Sequence, residues 1–114
     1  MGLNGTDAEQ YAERFLRQQN LVFIARNYRC RFGEIDLIMR DGSAIVFIEV
    51  RMRRNDFFGG AANSITRAKQ QKLVRTAKHF LATQNDLPPC RFDAVLLSGS
   101  KGEKIEWIKD AFCE

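Results

Sequence analysis

Two acids, Asp36 and Glu49, stand inside runs that otherwise read as buried strand. A carboxylate in such a place needs a partner, because taking its charge out of water uncompensated is costly. The first run, Glu34 to Arg40, alternates, with Ile35, Leu37 and Met39 on one side and Glu34, Asp36, Ile38 and Arg40 on the other. The second, Ala44 to Arg51, is apolar on both faces, the pattern of a central strand. Asp41-Gly42 between them predicts a two-residue hairpin turn of type I′, which needs positive φ at both central residues. Arg40 then pairs with Ser43, Asp36 with Phe47 and Glu34 with Glu49. Cross-strand partners share a face, and so do residues two apart. Glu34, Asp36, Phe47, Glu49 and Arg51 are therefore expected on one side, with Asp36 and Glu49 diagonal neighbours about 7–8 Å apart. A three-residue turn, Asp41 to Ser43, would send Asp36 to the opposite side.

Carboxylates gathered on one half-buried face repel each other, so their pKa values rise or the strands lose stability. A hard divalent cation, Mg²⁺ or Mn²⁺, resolves the conflict, since Mg²⁺ takes one or two carboxylates together with waters and substrate phosphate oxygens. The competing reading is a structural ion-pair network in which Arg31, Arg51 or Arg53 neutralises the acids.

Gly33-Glu34-Ile35-Asp36-Leu37-Ile38, Phe47-Ile48-Glu49-Val50-Arg51-Met52-Arg53, Arg91-Phe92-Asp93 and Ala111-Phe112 together resemble the YraN-type family of small uncharacterised bacterial proteins. The resemblance covers nearly the whole chain. Its central pattern, an Asp followed by Glu-x-Lys at the end of the next strand, is similar to the PD-(D/E)xK core of many restriction enzymes and of archaeal Holliday-junction resolvases. What this implies is a restriction-endonuclease-like fold, Asp36 and Glu49 as metal ligands, and Glu9 on the first helix as a further acidic site residue. Junction cutters of this fold usually need two sites, so the resemblance also implies a homodimer.

Position 51 departs from the nuclease pattern, which expects lysine where this chain has Arg51. Arginine matches phosphate oxygens bidentately and offsets transition-state charge, but its guanidinium stays protonated and is no general base. A bound cation lowers the pKa of its own water, so the chemistry does not depend on that base alone. On a helical wheel of the second predicted helix, about Thr66 to Gln84, Leu73, Ala77, Phe80 and Leu81 form the apolar arc, with Arg67, Lys72, Arg75 and Lys78 opposite. Lys69 falls within the apolar arc, either reaching back to the carboxylates in place of the missing lysine or snorkelling along the core edge. Glu9 is similarly divided. In Thr6-Asp7-Ala8-Glu9 it occupies N3 of a capping box, a structural role that spacing alone favours over the site role.

Charge is unevenly laid out. From Arg51 to Lys78 there are eight bases against one acid, Asp56. Arg53, Arg54, Arg67, Lys72 and Arg75 in that segment predict a basic wall beside the acidic face, for which the backbone of nucleic acid, DNA in the first place, is the natural partner. A merely solvated basic face is the alternative. Phe57-Phe58-Gly59-Gly60 in the same segment either stacks on unpaired bases or folds under to close the core.

Cys30, Cys90 and Cys113 are odd in number and widely spaced beside a single His79, which indicates neither a disulfide framework nor a zinc cluster. No run reaches the ~18 apolar residues of a membrane span and no signal-peptide pattern opens the chain, so the expectation is a cytoplasmic protein with no membrane partner.

With 114 residues, the chain is long enough for one packed core and is expected to be a single domain over 1–114. The predicted order is a helix near Thr6 to Gln19, a strand near Val22 to Cys30, the two hairpin strands, the second helix, a strand over Arg91 to Ser98 and a last strand over Lys104 to Ile108. This αβββαββ order predicts an α/β domain with a mixed central sheet flanked by helices, in which the Glu49 and Phe92 strands are parallel neighbours across a helical crossover. The functional expectation is a nucleic-acid-binding, Mg²⁺-dependent endonuclease, with branched DNA as a candidate substrate. Asp36, Glu49, Arg51 and Lys69 would be catalytic, and Asp36, Glu49 and Glu9 metal-binding. Arg51 in place of lysine favours the alternative, a binding module that kept the fold and lost the chemistry, and a protein-interaction domain without nucleic acid is the third class.

Overall fold

Apolar residues on both faces of Ala44–Met52 place that run in the middle of a five-stranded sheet. In the computed structural model, which describes residues 5–52, 65–99 and 101–112, the elements are α1 (Gly5–Gln18), β1 (Val22–Cys30), β2 (Gly33–Asp41), β3 (Ala44–Met52), α2 (Arg67–Leu81), β4 (Cys90–Ser98) and β5 (Lys104–Phe112). The sheet order is β1-β2-β3-β4-β5. All neighbours are antiparallel except β3 and β4, which run parallel from Ile45↔Cys90 to Met52↔Leu97 with α2 as the crossover. The result is an α/β domain with a mixed sheet in the αβββαββ order, consistent with a restriction-endonuclease-like fold. Among the described residues no helix is long and apolar enough to cross a membrane.

Each face of the sheet carries its own core. On one side Ala8, Ala12 and Leu16 of α1 pack on Leu37, Met39, Val46, Ile48, Val95 and Leu97. On the other, Leu73, Ala77 and Phe80 of α2 pack on Ile38, Ile45, Phe47, Phe92 and Ala94. The apolar arc of α2 is as its sequence predicts, and Thr76 joins the buried set because its hydroxyl donates back to the Lys72 carbonyl at 2.8 Å.

The hairpin turn differs from expectation by one residue. Asp41 pairs with Ala44, so the turn is Gly42-Ser43, not Asp41-Gly42. Gly42 at φ 61° is the only residue of the turn with positive φ. A turn with glycine at its first central position needs just that one, and it leaves Asp41 in the strand, where its carboxylate accepts from Arg91 Nη2 at 2.9 Å. Sliding a two-residue turn by one position preserves parity: Ile38 now faces Phe47, and Asp36 falls level with Glu49 rather than diagonal to it.

Below that level the two strands fork. The β2–β3 ladder stops at Leu37↔Ile48, although β2 stays paired with β1 down to Gly33 and β3 with β4 up to Met52. The Val50 amide, left without a cross-strand carbonyl, donates to Asp36 Oδ2 at 2.9 Å. The alternation expected through β2 breaks at the same place, because Ile35 packs in the α2-side core while Leu37 packs in the α1-side core.

A second buried carboxylate holds the far edge. Asp93, 1 % exposed, accepts from Arg91 Nε at 3.0 Å, Trp107 Nε1 at 2.9 Å and the Asp110 amide at 3.0 Å. Asp110 sits at φ 51°, where β5 departs from regular register. That irregularity explains why the periodicity of the sequence gives a strand ending at Ile108 while β5 continues to Phe112. Asp93→Ala strips three donors of their buried acceptor and is expected to cost about 3–5 kcal/mol. Asp41→Ala, which removes only the more exposed partner of Arg91, should cost about 1 kcal/mol or less. Urea denaturation of the two variants checks the difference.

Candidate active site

The fork opens a cavity of about 310 Å³, lined by Gly33, Glu34 and Asp36 of β2, Glu49 of β3, and Thr66, Ala68, Lys69, Lys72 and Leu73 at the start of α2. Glu9, Glu34 and Asp36 each place a carboxylate oxygen within 4.8 Å of the others, and Asp36 also lies against Glu49.

Helix α1 begins at Gly5, and the Glu9 carboxylate stands with Glu34 and Asp36 beside Asn27. Burial raises the Glu9 carboxyl above the usual range, the Asn27 hydrogen bond opposing and the Glu34 charge adding to it. Glu34, which the alternation of β2 already placed on the side of Asp36, completes the cluster and was not singled out as a site residue from sequence.

Asp36 is perturbed most. Burial, followed by the hydrogen bond and charge of Glu49, pushes its carboxyl up to about 8, against the opposing pull of the Val50 amide. It therefore holds a proton at neutral pH unless a cation replaces that proton.

Glu49 is 4 % exposed. The Lys69 ammonium approaches its Oε2 to 2.8 Å and Arg51 Nε to 3.6 Å, contacts that are ionic and not aligned as hydrogen bonds, so Oε2 keeps no aligned donor. Lys69 reaches this oxygen because Thr66 caps α2: its hydroxyl accepts from the Lys69 amide at 3.1 Å and fixes Lys69 in the first turn, beside the end of β3. The helical wheel's choice between reaching back and snorkelling falls to reaching back.

The donors are all hard oxygens, and with bonds of about 2.1 Å an octahedral ion spans oxygens up to about 4 Å apart, close to the spacing seen here. Glu9, Glu34 and Asp36 fit a divalent cation of the Mg²⁺ or Mn²⁺ type. Arg67, Lys72 and Arg75 are exposed along α2, and Lys72 also lines the cavity. Arg53, Arg54, the Phe57 to Gly60 segment and Cys113 lie outside the described residues. Cys30 is half-buried and Cys90 exposed.

The raised Asp36 carboxyl has a consequence for stability. Its folded pKa, about 8, exceeds the unfolded value of about 3.9, so the native state binds the extra proton between these limits and loses stability as pH rises through that window. Asp36→Asn removes this dependence. In EDTA the variant is expected to melt ~4 °C or more above wild type at pH 8.5, a gain of about 1 kcal/mol or more, with the advantage gone near pH 4. Parallel melting curves with equal pH slopes for the two proteins would contradict the assignment.

The chain matches the uncharacterised protein family UPF0102 over residues 8–97, from α1 through β4 and including Glu9, Glu34, Asp36, Glu49, Arg51 and Lys69. It is 61% identical over 113 residues to a UPF0102 protein of Nitrosomonas europaea, covering 99% of this chain and 96% of that one. A UPF0102 protein of Nitrosospira multiformis is 62% identical over 110 residues, with 96% and 92% covered, and one of Psychromonas ingrahamii is 52% identical over 110 residues, with 96% and 89% covered. The chain therefore belongs to family UPF0102, the YraN-type family that its strand motifs resemble.

Proposed function

We propose that the protein binds nucleic acid, DNA in the first place, and hydrolyses its phosphodiester bonds as a divalent-cation-dependent endonuclease. The observation that carries this reading is the meeting of Asp36 and Glu49 in one cavity, with the Lys69 ammonium 2.8 Å from Glu49 Oε2. A purely structural pairing of Glu49 would need neither the open cavity nor the extra acids on its other side.

In this reading Asp36, Glu49 and Glu9 hold the cation, and Glu34 adds negative charge beside them. Bound there, Mg²⁺ or Mn²⁺ would supply Lewis-acid stabilisation of a phosphorane-like transition state and acidify water. Lys69 orients the attacking water and offsets developing charge, the work that the nuclease pattern gives to a strand lysine. Arg51 grips the scissile phosphate, which its planar guanidinium suits better than proton transfer. Arg67, Lys72 and Arg75 on the exposed side of α2 lead the backbone toward the cavity.

The second reading, a non-catalytic binding module, draws on Arg51 in the lysine position and on the ion pairs that already neutralise Glu49. Incubation with branched, single-stranded and duplex DNA and with RNA, in Mg²⁺ or Mn²⁺, separates the two. Cleavage by wild type is expected to fall ~100-fold or more in Asp36→Ala, Glu49→Ala and Lys69→Ala, the loss typical when a group that stabilises transition-state charge is removed. Lys72→Ala and Arg75→Ala should each lower the slope of log affinity against log salt by about 1 and weaken all sequences alike. Salt-sensitive binding without cleavage supports the module instead, and neither binding nor cleavage supports a protein-interaction domain.

A further inference from the structure

Among the described residues Phe32 has no core to fill. It stands at the tip of the β1–β2 hairpin, half-buried, and belongs to neither apolar cluster. Its ring meets His79 edge-on with centroids 6.4 Å apart, and the Arg31 guanidinium lies 4.8 Å from its centroid. His79 is held in turn by Tyr28, whose hydroxyl lies 2.6 Å from Nδ1.

The tip is fixed against α2 rather than free in solvent. Gly33 sits at φ 152°, which L side chains rarely adopt, and a Cβ there would meet Thr76 Oγ1 at a tight 3.2 Å, so the hairpin lies close against the helix at this glycine. Lys72, Thr76 and His79, spaced as neighbours along one helical row, run beside it. Gly33 and Lys72 also line the acidic cavity. The Phe32 ring is thus four residues, at most ~13 Å of strand, from Asp36.

We propose that Phe32, layered with Arg31 and edged by His79, is a stacking platform for an unpaired base, so that nucleic acid enters the cavity with at least one nucleotide out of its duplex. Every base presents a π-face to an aromatic ring or a guanidinium plane, whereas a base inside an intact duplex has both faces covered. The charge around the platform suits the accompanying phosphates: Arg31 and Lys72 flank it, and the nearest acid, Glu34, is already paired with Arg29. This inference rests on the nucleic-acid-binding reading above and narrows its substrate to single-stranded, frayed or branched forms.

Binding in EDTA, where no cleavage intervenes, tests it with three labelled ligands: a single strand, a Y-branched molecule and a covalently closed duplex without ends. Phe32→Ala is expected to weaken the first two by about 5- to 150-fold and to leave the closed duplex unchanged. The salt slope should stay that of wild type, since no charge is removed. Phe32→Trp should keep the affinity and show indole emission quenched by the single strand. Equal affinity of wild type and Phe32→Ala for single strands overturns the platform alone, as does a parallel loss on the closed duplex. Absence of binding by wild type to all three overturns the nucleic-acid reading with it. If Phe32→Ala proves unfolded by its melting curve, the tryptophan variant decides, and unquenched emission counts against the platform.

Discussion

The hydrogen bond from the Val50 amide to Asp36 Oδ2 is the constraint on which the site depends. Where β2 leaves β3, a buried backbone donor loses its ladder partner, and an amide left unpaired there would cost about 1–3 kcal/mol. The Asp36 side chain takes the place of the missing carbonyl. One oxygen of the carboxyl is thereby committed to the sheet and the other is left toward Glu49 and the cavity. Continued pairing below Leu37 and Ile48 would satisfy Val50 from the backbone and leave no space between the strands. The same residue thus terminates the ladder and lines the cavity beside it.

Charge is divided unequally among the four acids. Glu34 is paired with Arg29, and Glu49 with Lys69 and Arg51. Among the described residues no salt bridge forms to Glu9 or Asp36, and these are the two members whose carboxyls are held above their usual range. The deficit of positive charge therefore lies between α1 and β2, on the side of Asp36 away from Lys69. In the proposed reading, a cation placed there would relieve the strain that burial and mutual repulsion impose.

Much of this arrangement could be read from the residues, and the failures have local causes. The shared face of Asp36 and Glu49 follows from parity alone, which is why a turn misplaced by one residue, Gly42-Ser43 for Asp41-Gly42, left it intact. Lys69 was legible because a helix exposes its periodicity, and a base in an apolar arc stands out. Glu9 was less so: Thr6-Asp7-Ala8-Glu9 satisfies a capping rule that uses only local spacing, while its actual neighbours come from Asn27, Glu34 and Asp36, distant in sequence. The break of alternation at Ile35 and the extension of β5 past Asp110 depend on irregular pairing, which leaves no periodic trace. Phe32 carries no signal at all until Gly33 brings its hairpin against Thr76.

Arg51 and Lys69 both address the same oxygen, Glu49 Oε2, at 3.6 and 2.8 Å. Both cations stand on the Glu49 side of the acid cluster, with side chains 33% and 43% exposed. The half of the cavity toward α2 is therefore positive, while the half toward α1 is negative. In the nuclease reading proposed above, a phosphodiester would fit such polarity, because its oxygens could meet Arg51 and Lys69 on one side and share a cation with Asp36 and Glu9 on the other. Moving the lysine from strand to helix does not remove it from this scheme. It places the ammonium on a turn fixed by the Thr66 cap, and frees the strand position for a guanidinium whose planar fork is the better match to phosphate.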